Sequence, residues 1–405
     1  MTAFRRRQRW ATAGALALAL LLVAVVWRAA TEATPPLRIQ RTLAAYVQLP
    51  GRAPALAWPR AGQAAFEVQG VGGITASGGL APVPIASVAK IMTAYLVLSE
   101  HPLAPHSQGF TITITPADAA DEERRAELLE SILPVRAGER LTERQALQAL
   151  LLPSANNIAA LLAVHDAGSQ AAFVARMNAT ARRLHMVSTT YTDPSGFSDT
   201  TVSTAVDQIK LARLAMRLPA FAAIVAQRSV ELPVAGSVAN YDALIGRDGY
   251  AGIKTGSDRA AGGCFVFAKR TTVIGRRVLI LGAVLGQRQG PIIEAALSSA
   301  QRLGDSIAAA LRVETVLPAG TRVLSASDVD GDRSTGSTAG ALREVGWGGL
   351  ELPLRVAFQS PTSALRAGER VATVTVGAGG TSAVSVVASR TVGGASLGWR
   401  LRHLL

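Results

Sequence analysis

Ser87 and Lys90 stand three positions apart at the start of a nearly apolar stretch that runs to Leu98. In a helix, residues i and i+3 share a face, so a hydroxyl and an amine are brought together there. A serine hydroxyl is a weak nucleophile until a base takes its proton. A lysine in an apolar setting, where its charge is disfavoured, can be that base. Of the 41 basic residues only Lys90, Lys210, Lys254 and Lys269 are lysine, so this chain uses arginine wherever charge suffices. A lysine kept at a particular place is therefore suited to what guanidinium cannot do, which is to lose its proton. Pro84 and the apolar run place Ser87 at the helix N-terminus, where free N–H groups and the helix dipole favour developing negative charge. Taken alone, Ser-x-x-Lys also reads as a capping serine with a lysine that extends its stem along apolar surface.

Two further groups carry chemistry. Ser154-Ala155-Asn156 lies in Leu-Leu-Leu-Pro-Ser-Ala-Asn-Asn, a loop that breaks between helices. Lys254-Thr255-Gly256 ends a strand, and a glycine there leaves room for a ligand laid along the strand.

The elements that must position these residues follow from length and pattern. A chain of 405 residues, 49% hydrophobic and 17% charged, is globular and long enough for two to three domains. Gln63–Val71 alternates apolar and polar residues, as an antiparallel strand does. Helices are expected at about Ser87–Leu98, Glu143–Val164 and Ala171–Leu184. Three strand-like stretches, Tyr250–Thr255, Cys264–Arg270 and Arg277–Leu285, form a meander, and Pro291 opens a helix to Leu311. The expected fold is α/β, an antiparallel sheet flanked by helices. Beyond Leu311, Gly, Ser and Thr with β-branched runs predict a small all-β domain over 312–405.

The N-terminus carries an address. Arg5, Arg6, Arg7 and Arg9 precede an uncharged apolar run from Trp10 to Trp27, long enough to cross a bilayer. The basic flank should stay inside, leaving the rest outside the cytoplasm. Residues 1–33 are thus a signal or membrane anchor, 34–55 a proline-containing linker, and 56–311 the domain that holds the three groups.

Together, in this order and spacing, the three groups resemble the penicillin-binding serine D-alanyl-D-alanine carboxypeptidases. Pro84-Ile-Ala-Ser-Val-Ala-Lys-Ile-Met-Thr-Ala, Arg136-Ala-Gly-Glu-Arg-Leu-Thr, Asp193-Pro-Ser-Gly-Phe and Ser203-Thr-Ala-Val-Asp extend the resemblance over about Gly62–Leu311. It implies a β-lactamase/transpeptidase-like fold with a helical subdomain, in the bacterial cell envelope. It implies a substrate, peptidoglycan stem peptides ending in D-Ala-D-Ala, and β-lactams as inhibitors, with no cofactor. Ser87 would attack the penultimate D-alanine carbonyl with Lys90 as base, and Ser154 would relay the proton to the leaving amine. Asn156 would hold the substrate amide, Lys254 and Thr255 beside Gly256 would grip the terminal carboxylate, and the N–H groups of Ser87 and Ser257 would form the oxyanion hole. The sequence departs from the family pattern at Asn157, Ser257 and Asp258.

Other readings are weaker. The formal net charge of +13 suits an anionic partner, but no basic run is interleaved with stacking residues, so nucleic acid is not expected. One cysteine, Cys264, forbids an internal disulfide and a multi-cysteine metal site. The five histidines lack metal-ligand spacing. Gly394-Ala-Ser396-Leu-Gly398 imitates a hydrolase nucleophile elbow with too little chain after it, and Asp328-Val-Asp330-Gly-Asp332 lacks the spacing of a calcium loop. The alternatives are a β-lactamase or D,D-endopeptidase of the same fold, or a catalytically silent wall-binding scaffold. A β-lactamase needs a deacylating glutamate, and Glu231 is the sole glutamate between Asn156 and Lys254.

Overall fold

The computed structural model describes residues 2–359, 363–380 and 382–403. The outermost residues of the expected N-terminal and C-terminal segments, Met1 and 404–405, lie outside the described residues. The chain divides into two compact units, one of residues 50–313 with 345–350, the other of residues 1–49, 314–344 and 351–405.

In the first unit a five-stranded antiparallel sheet runs in the order Tyr250–Asp258, Gly262–Val273, Arg276–Gln287, Gln63–Val68, Thr75–Ser77. The meander expected from the sequence forms its first three strands. Tyr250–Asp258 is an edge strand. Gln63–Val68 differs from the alternating expectation, because all six residues are buried. The polar ones are covered as well: Gln63 Oε1 accepts the Ala205 N–H, and Glu67 pairs with Arg213 of the helix Ala205–Ala215.

The helix Lys90–Glu100 is buried on nearly every side, with Ile91, Met92, Ala94, Leu96, Val97 and Leu98 in the core. Each large side chain taken from water there contributes about 1.5–3 kcal/mol. Helices Glu143–Leu151, Asn156–Ala167, Gln170–Arg183 and Ala205–Ala215 surround it. The single helix expected over Glu143–Val164 is two. Pro153 cannot donate an N–H, so the first helix stops at Leu151 and the second begins at Asn156, leaving Ser154 at the break.

The second unit holds a seven-stranded antiparallel sheet whose outer strands are Arg38–Arg41 and Tyr46–Gln48. These residues fall in the segment expected as a linker over 34–55, and the structure corrects that reading. Strands of three or four residues, mostly exposed, are too short to show alternation in sequence. The N-terminal helix covers Thr2–Thr31, and its Arg6–Thr31 portion is long and apolar enough to cross a membrane, with an 18-residue window whose mean hydropathy reaches 2.2. Its last carbonyls are capped within the same unit: the Arg400 guanidinium donates to the carbonyls of Ala29, Ala30 and Glu32, placing positive charge where the helix dipole is negative. The two decoy motifs meet in this unit, where Ser396 caps the short helix Leu397–Arg402 and donates to Asp330, a local structural bond.

Candidate active site

Ser87 lies in a single 3₁₀ turn, Ala86–Ala89, that leads into the helix Lys90–Glu100. The turn is entered through Ala86 at φ 46°, a left-handed conformation that costs an alanine on the order of 1 kcal/mol. Ser87 is half-buried and reachable, whereas Lys90 is fully buried. The expected meeting of the two side chains is observed, with Lys90 Nζ 2.8 Å from Ser87 Oγ.

Lys90 Nζ has two more partners, Asn156 Oδ1 at 2.6 Å and the Ser195 carbonyl at 2.9 Å. Burial, and after it the nearby Lys254 charge, pull the Lys90 amine well below its ordinary value. A neutral amine has two N–H donors and one lone pair. Two carbonyl oxygens take the donors, and the lone pair is left for the Ser87 hydroxyl. This is the arrangement in which an amine can accept a serine proton.

The Ser195 carbonyl is delivered by a loop that Asp193 organises. Its carboxylate accepts the N–H groups of Ser195, Gly196 and Phe197 and the hydroxyls of Ser195 and Thr201. Burial alone would raise this carboxyl, yet these hydrogen bonds hold it below its ordinary value. Thr93 Oγ1 donates to the Pro194 carbonyl and ties the loop to the nucleophile helix. Gly196 has φ 78°, and a Cβ there would overlap the Ala86 carbonyl oxygen. The loop therefore packs directly on the strained turn.

Ser154 also adopts a left-handed conformation, φ 68°. Its hydroxyl is buried without a hydrogen-bond partner among the described residues. Backbone strain and an unpaired buried hydroxyl are features that cluster at functional positions. Asn157, where the sequence departs from the family pattern, clamps Leu133: its Oδ1 accepts the Leu133 N–H and its Nδ2 donates to the Leu133 carbonyl. An ionised aspartate could not make the second bond.

Lys254 is buried in the edge strand and donates to the Thr255 carbonyl. Burial lowers its amine to about 7 against the opposing pull of the Asp242 carboxylate. Thr255 is likewise buried, and Ser257 is half-buried and pairs with Gly263. Asp258 accepts the Ala261 N–H and so closes the turn to the next strand, which explains that departure. This strand ends the sheet, so its outer side has no strand neighbour among the described residues, and only Ser257 and Asp258 at its end are half-buried rather than buried.

Gly256 has a different reason from the one expected. A Cβ at this position would lie 2.9 Å from the Ile85 carbonyl oxygen and 3.0 Å from the backbone nitrogens of Ser87 and Val88. The glycine lets the nucleophile turn approach the edge strand, and ligand clearance is not needed to account for it. Gly256→Ala is expected to push the Ser87 N–H out of place and lower acylation of Ser87 about 100-fold, with a loss of about 1–3 kcal/mol in stability. Stopped-flow acylation and thermal melting check this; unchanged acylation would show that the spacing of turn and strand does not matter.

Three contributors escaped sequence reasoning. Glu130 accepts from Asn156 Nδ2 at 2.7 Å, Arg125 pairs with Glu130, and the Ser195 carbonyl meets Lys90. Only Ser195 had a signal, the Asp-Pro-Ser-Gly-Phe stretch. Arg125, Asn156, Asp193, Ser195 and Phe197 line a cavity of about 110 Å³ beside the buried amine. Glu231, the glutamate considered for a β-lactamase, is exposed on the strand Ser229–Leu232. Cys264 is buried and its thiol is pushed up to about 12, as suits a small core residue.

A helix-covered antiparallel sheet with a serine on a buried amine, packed against the edge strand that carries Lys254, defines the class of penicillin-recognising serine enzymes. The D-alanyl-D-alanine carboxypeptidase family model matches residues 74–288, and the chain belongs to this family. It is 36% identical over 204 residues to the D-alanyl-D-alanine carboxypeptidase DacB2 of Mycobacterium tuberculosis, covering 49% of this chain and 65% of that one. It is 30% identical to the D-alanyl-D-alanine endopeptidase of Escherichia coli, covering 49% of this chain and 62% of the relative. The chain thus spans somewhat less than two thirds of the length of these curated relatives. Among solved structures it is similar to the Streptomyces K15 DD-transpeptidase, at 26% identity and a TM-score of 0.53, covering 63% of this chain and 98% of that one.

Proposed function

We propose that the protein is a serine D-alanyl-D-alanine carboxypeptidase that trims the terminal D-alanine from peptidoglycan stem peptides outside the cytoplasm, held to the membrane by its N-terminal helix. The observation that carries this reading is the Lys90 amine, buried and placed against Ser87 Oγ with its two N–H donors directed to carbonyls. Ser87 Oγ attacks the penultimate carbonyl as its proton passes to Lys90 Nζ, and the oxyanion forms against the N–H groups of Ser87 and Ser257. The C–N bond to the terminal D-alanine breaks, and its amine takes a proton through the Ser154 hydroxyl. Water then releases the shortened peptide from Ser87. Asn156 holds the substrate amide, and Lys254 with Thr255 receives the terminal carboxylate. β-Lactams enter the same path and remain as the acyl group.

Incubation with a pentapeptide ending in D-Ala-D-Ala should release free D-alanine, and a peptide with D-Ala-D-Ala in internal linkage should be cleaved more slowly. The reverse order would favour the endopeptidase reading. Lys254→Ala loses a charge-assisted contact of about 1.5–3 kcal/mol and should lower kcat/KM at least tenfold on the acid substrate. On the same peptide with its terminal carboxylate amidated the loss should be smaller, since only the effect of the missing Lys254 charge on Lys90 remains. Because Lys254 must be charged to hold an anion, kcat/KM of the parent enzyme on the acid substrate should fall as pH rises through about 7, a limb absent for the amide. Equal losses on acid and amide would assign Lys254 to Lys90 alone.

A further inference from the structure

We propose that Glu130 is a positioning residue, its carboxylate holding the Asn156 amide in the orientation that turns the amide oxygen, and not its NH₂, onto Lys90. The inference rests on the base role of Lys90 given above.

Asn156 stands between two groups of opposite demand. Its Oδ1 meets Lys90 Nζ at 2.6 Å, and its Nδ2 donates to Glu130 Oε2 at 2.7 Å. A flipped amide would put carbonyl oxygen against carboxylate on one side. On the other it would aim an N–H at the amine, where it would occupy the lone pair that must take the Ser87 proton. Glu130 makes that flip doubly unfavourable. The carboxylate is itself held: Arg125 Nη1 lies 3.0 Å from the same Oε2, and Arg125 Nε is 2.5 Å from Asp121. The Glu130 side chain is only 4% exposed, so it cannot swing to water without leaving Asn156. The result is a continuous chain, Asp121–Arg125–Glu130–Asn156–Lys90, that joins the helix Pro116–Glu127 to the nucleophile helix.

Charge adds a second consequence. The groups acting on Lys90 are Lys254 from the edge strand, Asp193 from its loop, and Glu130 and Arg125 from the segment before Asn156. The Glu130 carboxylate favours the ammonium form, so its removal should let Lys90 lose its proton at lower pH.

Two variants of the full chain in detergent separate these effects. Glu130→Met removes the acceptor; Glu130→Gln keeps an acceptor oxygen and removes the charge. The pH profile of acylation by a fluorescent penicillin is measured for each. In parallel, the four lysines are ¹³C-labelled at Cε and titrated by NMR, with the Lys90 signal assigned from Lys90→Arg. Glu130→Met should lower acylation at least tenfold at every pH while the folded signals persist. Glu130→Gln should keep plateau acylation within about threefold, with the Lys90 titration and the acid limb both moved down by about 0.5 pH or more. Unchanged acylation by the Met variant, or an unmoved Lys90 titration in the Gln variant, overturns the proposal. If the Met variant fails to fold, the Gln variant decides by the same titration. If the parent chain is never acylated, the carboxypeptidase reading fails, and the Lys90 titration still decides whether Glu130 acts on the amine.

Discussion

Ser87→Ala is expected to abolish covalent labelling by penicillin and lower D-alanine release by a factor on the order of 10⁴ or more, with the fold retained. Alanine removes the half-buried hydroxyl oxygen that lies 2.8 Å from a buried amine. Little else depends on that hydroxyl. Lys90 keeps the Asn156 and Ser195 oxygens, and the 3₁₀ turn is held by backbone and by the packing of Val88 and Ala89. The melting temperature should stay within a few degrees of the parent. Non-covalent binding of penicillin should persist, because Lys254 and the edge strand are untouched. Intact-mass measurement after incubation gives the answer, and an acyl adduct on the Ser87→Ala variant would move the nucleophile elsewhere.

Lys90→Arg is expected to be nearly as damaging although it preserves the formal charge. A guanidinium does not lose its proton in a protein, so the variant has no lone pair to offer Ser87. General-base assistance is worth about 10²–10⁴ in rate, and acylation should fall by at least the lower figure. The pH dependence supplies a second signature. In the parent, burial and the Lys254 charge lower the amine, so the neutral form grows as pH rises through its depressed value, and acylation should climb with it. That limb should be missing in the arginine variant at any pH where the protein is folded. Acylation close to the parent, or a surviving limb, would reduce Lys90 to an electrostatic neighbour of Ser87.

Sequence by itself determined the chemistry that local geometry dictates. Ser87 and Lys90 meet because they are one helical turn apart, and a lysine in an arginine-rich chain stands out by type alone. The meander from Tyr250 to Gln287 and the apolar N-terminal helix were legible for the same reason, since period and length are properties of contiguous residues. Only the tertiary structure decided what closes around that pair. Glu130 and Ser195 lie 26 and 105 residues from the partners they serve, and neither leaves a periodic trace. The purpose of Gly256 is visible only once the backbone of the nucleophile turn is seen 3.0 Å from its missing Cβ. The strands Arg38–Arg41 and Tyr46–Gln48 read as a linker because their partners lie some 300 residues further on. A motif can specify which atoms react. The protonation state of the buried amine depends on its burial, nearby charges and carbonyl partners, which only the packed fold brings together.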